Sequence, residues 1–251
     1  MRVLVTFAVE AEFAPWRKLR NLTTRETAGH VVSEAKIGRA DVDFVVTGMG
    51  MENAKRVTEA VITPDHKACI GAGFAGALKP TLKVGDVLVA RAVRVLGKSK
   101  TLECSRNLFM AAYENQAIEA KMFLTTDHVI GTTDERKRLS PFAEAVDMES
   151  YTILAEAARC GVPAVAIRAI SDTADFDMPY DFERARDAHG QIRAMGVFSQ
   201  VLRRPGGLPS LLKLSRDTRF AARRLADFLD AFAGTMADRL APIEQDAVAA
   251  L

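Results

Sequence analysis

The sequence predicts an α/β domain whose mixed sheet is covered by helices, and three observations carry that prediction. A chain of 251 residues has the size of one large α/β domain. Val162 to Ile170 is a nearly continuous apolar run, the pattern of a strand buried on both faces. Shorter runs of the same kind alternate along the chain with stretches of helical spacing.

Val3 to Ala8 reads as a buried first strand, and helical spacing follows from Glu10 to about Leu19. Alternation over His30 to Lys36 and Asp41 to Thr47 predicts a hairpin-like pair of strands. Thr47-Gly48-Met49-Gly50 then turns into a helix with Asn53, Ala54, Val57 and Val61 inward. Lys67 to Gly71 is the next strand, Val84 to Val95 holds another, and Lys121 to Leu124 and Ala145 to Val146 are two short ones. Met148 to Cys160 is a helix stopped by Gly161 and Pro163. From about Arg203 the composition changes: Pro205-Gly206-Gly207-Leu208-Pro209 reads as a linker, and a long amphipathic helix follows. Ala221, Leu225, Phe228 and Phe232 share one face of that helix. The chain therefore divides into a main domain over 1–202 and a helical extension over 203–251.

Composition narrows the function classes. Hydrophobic residues make up 49% and charged residues 26%, as in soluble globular proteins. The 34 basic and 32 acidic residues leave a formal +2, which gives no electrostatic case for nucleic acid or membrane. Cys69, Cys104 and Cys160 are far apart and odd in number, and no Cys/His spacing suggests zinc. Reduced thiols, the lack of a signal-peptide pattern and the lack of an apolar run of roughly 20 residues predict a cytoplasmic protein. Neither a metal nor an organic cofactor is expected.

Gly71-Ala72-Gly73-Phe74-Ala75-Gly76 is a literal G-x-G-x-x-G directly after a strand. A dinucleotide site needs a helix to open there, with its N-terminus at the pyrophosphate. Pro80 and Gly85 break any such helix, and no acidic residue stands where the ribose would be held. A nicotinamide-dependent oxidoreductase is therefore the weaker reading. The glycines are expected instead to form a tight turn whose backbone approaches a ligand.

Three acids stand at ends of predicted strands, where α/β sheets place ligands. Glu12 follows the first strand, Glu149 sits in Val146-Asp147-Met148-Glu149-Ser150, and Asp172 ends Arg168-Ala169-Ile170-Ser171-Asp172-Thr173-Ala174-Asp175. Each has a simpler role open to it. Asp147 and Glu149 suit a helix start, Asp172 a cap after a strand, and Glu12 a first-turn acid in water.

Four segments, in order over roughly residues 1–200, resemble the nucleoside phosphorylase and nucleosidase superfamily, and most of all methylthioadenosine/S-adenosylhomocysteine nucleosidases. They are Ala8-Val9-Glu10-Ala11-Glu12; Gly73-Phe74-Ala75-Gly76-Ala77-Leu78 with Pro80 to Asp86; Val146-Asp147-Met148-Glu149; and Val162-Pro163 with Ile167 to Asp175, which is the closest match. The resemblance implies a single-domain, three-layer αβα fold with a mixed central sheet and a homodimer. It also implies hydrolysis of the N-glycosidic bond of a purine nucleoside, such as a 5′-substituted adenosine.

By that resemblance Asp172 is the general acid toward the purine ring, a role that needs a protonated carboxyl, and Glu12 activates water. Glu149 receives the ribose hydroxyls with Met148 beside the sugar. Gly73, Phe74 and Ser171 line the site, and the backbone around Asp127 to Val129 lies against the base. Phe74 replaces the small hydroxyl residue of the family's glycine loop, so one polar contact is missing. The segment from about Arg94 to Ala120 lacks the family's aromatic-rich insert, which leaves the 5′ pocket open. Val201-Leu202-Arg203-Arg204-Pro205-Gly206 is similar to hopanoid-associated phosphorylase-like members, which act on an adenosylated lipid. The basic helix behind it suits a membrane surface, although packing on its own domain is the commoner use of such a helix. The family's Gly-Asp-Pro phosphate loop is absent, and Glu10 with Glu12 disfavours a phosphate dianion, so water is the expected nucleophile. Phosphorolysis and a non-catalytic nucleoside-binding role are the alternatives.

Overall fold

The computed structural model describes residues 1–178 and 205–240. The strands are β1 (Arg2–Phe7), β2 (Thr23–Thr27), β3 (His30–Ile37), β4 (Ala40–Val46), β5 (His66–Ala77), β6 (Val87–Val95), β7 (Thr101–Glu103), β8 (Ile118–Thr125), β9 (Ala145–Asp147) and β10 (Ala164–Asp172). The helices are α1 (Glu10–Arg17), α2 (Met51–Val61), α3 (Arg106–Glu114), α4 (Thr133–Leu139), α5 (Ser150–Arg159) and a long final helix, here α6 (Leu208–Leu240). This is the expected mixed sheet with helices around it.

One wing of the sheet is open. β1 runs parallel to both β4 and β5, and β4, β3 and β2 follow as an antiparallel meander. The other wing closes on itself: β5 pairs with β10, β10 with β6, β6 with β8, β8 with β9, and β9 returns to β5. The sequence held no sign of this ring, because closure depends on which strands pair and not on how each one alternates. It draws the ends of β1, β5, β8, β9 and β10 together, and the candidate site forms there.

Two groups of helices cover the sheet. α2 packs on α5, while α1 and α3 pack on α6. Ala54, Val57 and Val61 are buried on α2 as their spacing predicts, and Asn53 is half-buried. α5 ends at Cys160, where Gly161 takes a φ of 68°, a left-handed value that glycine adopts without strain. Ala221, Leu225 and Phe232 of α6 are fully buried, as are Leu229 and Met236. No helix among the described residues is long and apolar enough to cross a membrane.

Two expectations change. Gly71 to Gly76 is not a tight turn but the second half of the continuous strand β5. Pro205 to Pro209 is not an open linker: Pro205–Gly207 is a short 3-10 turn, and α6 starts at Leu208. Its second residue, Pro209, falls in the first turn, where a missing N–H costs nothing. β2 and the helices α3 and α4 were not anticipated. β2 is largely exposed and polar, so it lacks the period-2 contrast that marks a strand. Residues 179–204, which include the Val201 to Arg204 part of one sequence motif, lie outside the described residues.

Candidate active site

A cavity of about 300 Å³ opens where the strand ends meet. Its walls include Glu12, Phe74, Val129, Met148, Glu149, Ser171 and Asp172, so seven of the eight site residues read from the sequence line one space. Gly73 stands just behind the wall. A Cβ at this position would sit 2.7 Å from Glu12 Oε1, so the missing side chain is what lets Glu12 lie against β5. The glycines thus admit neighbouring side chains to a strand, a different use from the expected loop.

Glu12 is held by main chain. Its Oε2 accepts from the N–H groups of Ala8 (2.7 Å) and Val9 (3.0 Å), and its Oε1 from that of Phe74 (2.7 Å). The bond to Val9, the N-cap of α1, means that the simple first-turn role also applies. The reach to β5 and the burial go beyond it. Burial pushes the Glu12 carboxyl above its ordinary value, with the Phe74 N–H, Arg168 and the other two N–H groups acting against that rise. Glu10 does not face the cavity; it is exposed and paired with Arg17 at 2.7 Å. The electrostatic case against phosphate therefore loses one of its two acids.

Glu149 is the N-cap of α5, yet its side chain caps nothing. Its Oε1 accepts from the N–H of Gly50 at 2.7 Å, across 99 residues of chain. Gly50 reaches that position with a φ of 89°, in the left-handed region that glycine tolerates. Burial, then the neighbouring Asp147 charge, pushes the Glu149 carboxyl up to about 8. Asp147 performs the capping instead, accepting from Ser150 N at 3.3 Å and Thr125 Oγ1 at 2.8 Å. It is paired with the buried Arg168, whose Nε lies 2.8 Å from Oδ2 and whose Nη1 donates to Gly71 O at 2.8 Å.

Asp172 ends β10 with both oxygens engaged. Ser171 Oγ donates to Oδ1 at 2.5 Å, and Oδ2 forms an ion pair with Arg136 Nη2. Asp172 is only 5% exposed and Arg136 only 1%, so water screens this pair little. Sequence reading missed Arg136 altogether. The available signal was Thr132-x-x-Glu135: Thr132 Oγ1 accepts from Glu135 N, and Glu135 Oε2 accepts from Thr132 N, each at 3.2 Å. That capping box announces α4, the helix that carries Arg136. Further wall residues also went unread: Met49 before α2, Thr126 after β8, Met178, and Leu214 and Thr218 of α6. Asp127 is 80% exposed and bonded to His128 Nδ1 at 2.6 Å, so the cavity wall at this turn is His128, Val129 and Ile130.

A closed mixed sheet with four buried carboxylates around one cavity defines an α/β protein built to act on a small molecule. Residues 2–203 match the family described as the phosphorylase superfamily, and the chain belongs to it. It is 28% identical over 195 residues to a 5′-methylthioadenosine/S-adenosylhomocysteine nucleosidase of Staphylococcus epidermidis, covering 68% of this chain and 86% of that protein. A nucleosidase of the same name from Staphylococcus aureus strain Newman is 30% identical over 171 residues, 57% of this chain and 74% of its own. In fold, the chain is similar to the Campylobacter jejuni nucleosidase of that name (TM-score 0.71, 18% identity, 94% and 99% of the two chains). It is similarly close to a futalosine hydrolase mutant of Helicobacter pylori (TM-score 0.70, 18% identity, the same coverage).

Proposed function

We propose that this chain hydrolyses the N-glycosidic bond of a purine nucleoside, an adenine-type nucleoside substituted at its 5′ carbon. One observation carries the reading. Four buried carboxylates, Glu12, Asp147, Glu149 and Asp172, line one cavity at the strand ends, while the one arginine among the described wall residues is ion-paired with Asp172. The nucleosidase names of the Staphylococcus relatives support the same activity.

Breaking the bond between C1′ and N9 leaves positive charge on the sugar and sends the electron pair to the base. A carboxylate therefore suits the sugar side, and a proton donor suits the base. Asp172, oriented by Ser171, gives its proton to purine N7. Water attacks C1′ and loses a proton to Glu12. An ionised carboxylate offers about four acceptor sites, and three of those on Glu12 are filled by backbone N–H groups, which leaves one for a water molecule. Glu149 receives the ribose hydroxyls, with Met148 beside the ring and Val129 along the base. Phosphate would need uncommitted donors. Arg136 and Arg168 are both spent on aspartates, which favours water over phosphate as the nucleophile. Met49, Met178 and Leu214 give the rest of the wall an apolar character, which supports a hydrophobic 5′ substituent. An adenosylated lipid would satisfy the same wall. The homodimer and the cytosolic location belong to this reading as well.

The test is base release from adenosine, inosine, methylthioadenosine, S-adenosylhomocysteine and 5′-alkyl adenosines, with and without phosphate. Release without phosphate, reduced about 100-fold or more by Asp172→Asn, is expected. Release only with phosphate would make the chain a phosphorylase and remove the water role of Glu12. Adenine binding without any release would make it a binding protein, with Phe74 the first residue to revert.

A further inference from the structure

Arg136 is the one arginine among the described wall residues, and the reaction above assigns it no task. Its setting is specific. Nη1 donates to Thr173 O at 3.2 Å and Ala77 O at 3.4 Å, Nη2 donates to Ile130 O at 3.0 Å, and Nη2 also pairs with Asp172 Oδ2. The terminal nitrogens are thereby hydrogen-bonded to three main-chain carbonyls, and Nη2 is ion-paired with the carboxylate. Nε has no partner among the described residues and is sealed from solvent. The guanidinium thus turns its bonded donors to the protein, and its unpartnered Nε is closed off from solvent. Gly76 makes the room for it: a Cβ there would sit 2.9 Å from Arg136 Nη1 and 3.0 Å from Asp172 Oδ2.

We propose that Arg136 is a positioning residue for base departure, clamped by three carbonyls so that it fixes the Asp172 carboxyl and neutralises the charge left when that carboxyl gives up its proton. The proposal rests on the nucleosidase reading. The proton moves from Asp172 to N7, the electron pair of the broken bond moves to the base, and the carboxylate that remains faces an immobile guanidinium. A cation fixed beforehand costs no reorganisation at the moment of transfer. Because it also favours the ionised carboxyl, Asp172 takes up the proton it gives from solvent before the base departs. The fork geometry of the guanidinium matters as well as its charge, because a lysine cannot span carbonyls and carboxylate together.

The experiment compares wild type, Arg136→Met, Arg136→Lys and Gly76→Ala on whichever nucleoside the wild type turns over best, reading kcat and KM separately, with a melting curve for each. Arg136→Met is expected to lower kcat about 100-fold and to leave KM within about threefold, since the side chain acts on the acid and not on binding. Arg136→Lys is expected to recover part of that loss. Gly76→Ala keeps an ordinary backbone and drives a methyl group between the pair, and is expected to lower kcat about tenfold. Wild-type kcat in Arg136→Met, or a rise in KM that accounts for the whole loss, would overturn the proposal. If Arg136→Met does not melt cooperatively, Gly76→Ala decides, and an unchanged kcat there overturns it. A wild type that releases no base would overturn the nucleosidase reading and this proposal together.

Discussion

Three of the carboxylates at the cavity, Glu12, Asp172 and Glu149, have different nearest neighbours. Glu12 has three N–H groups, Asp172 has a hydroxyl and a guanidinium, and Glu149 has one N–H and an acidic neighbour in Asp147. Burial beside the Asp147 charge makes Glu149 costly to ionise. Its carboxyl titrates at about 8 in the fold, against an ordinary 4.5. Between those values the folded chain keeps a proton that the unfolded chain has lost, so this group's contribution to stability falls as pH rises through that window. Glu149→Gln keeps the acceptor for Gly50 and removes the charge. It is expected to raise stability at pH 8 by on the order of 1 kcal/mol and to abolish turnover, checked by urea unfolding at pH 6 and 8. Equal stability gains at the two pH values would contradict the assignment of that proton. At this scale Glu12, Glu149 and Asp172 were legible because each sits in a motif. Arg136 was not, because nothing in Asp134-Glu135-Arg136-Lys137-Arg138 says which of five charged side chains turns inward. Only the placement of α4 against β10 selects it.

At the scale of elements, the open wing is tied together by a buried acid. Asp43 on β4 takes Arg2 Nε of β1 at 2.9 Å, Arg25 Nη2 of β2 at 2.7 Å and His66 Nε2 of β5 at 3.2 Å. On its other side the His66 ring is held by Thr63, whose N lies 3.1 Å from Nδ1. Burial alone would raise the Asp43 carboxyl, but the His66 and Arg2 bonds and the nearby charges hold it down at about 2, below its usual 3.8. Its contribution to stability is then complete above 3.8 and is lost as pH falls toward 2. Asp43→Asn strands three donors and is expected to cost about 3 kcal/mol at pH 7 by urea titration, with a smaller difference from wild type at pH 3. A loss below about 0.5 kcal/mol would mean that the cluster is only a solvated surface group. Helix and strand content along β3, α1, α2 and α5 could be read from periodicity, and β1, β4 and β10 from apolar runs, because the first group buries one face and the strands of the second are buried nearly throughout. The glycine-rich half of β5 could not, since glycines carry no side-chain pattern and the same letters serve a loop or a strand.

Over the whole molecule, α6 ties the end of the described chain to its beginning. Trp16 Nε1 on α1 donates to Asp230 Oδ1 at 2.9 Å, and Arg20 grips both oxygens of Asp230 at 2.8 and 2.6 Å. Ala221, Leu225, Leu229, Phe232 and Met236 bury one stripe against the body, while Leu214 and Thr218 of the same helix form cavity wall. The apolar stripe predicted from Ala221 to Phe232 is thus used for packing, as is usual for such helices. Phe232→Ala is expected to cost about 3–5 kcal/mol, seen as a lower melting temperature, because a fully buried ring leaves a void among rigid neighbours. Base release measured well below that temperature should survive; its disappearance there would show that the helix shapes the site more than it supports the body.

What the sequence determined by itself is local or repeated in a motif. The buried runs, the turns at Gly48, Gly50 and Gly161, and the three acids at strand ends are fixed by patterns within a few residues of each other. The tertiary structure alone decided which strands close into a ring, which glycine makes room for which side chain, and which arginine meets Asp172. Those are contacts between segments far apart in the chain. Asp172 and Arg136 are 36 positions apart, and Glu149 and Gly50 are 99. Periodicity encodes how deeply each residue is buried, but not against what it is buried, because burial depends on one residue's polarity while a contact depends on the path of the whole chain.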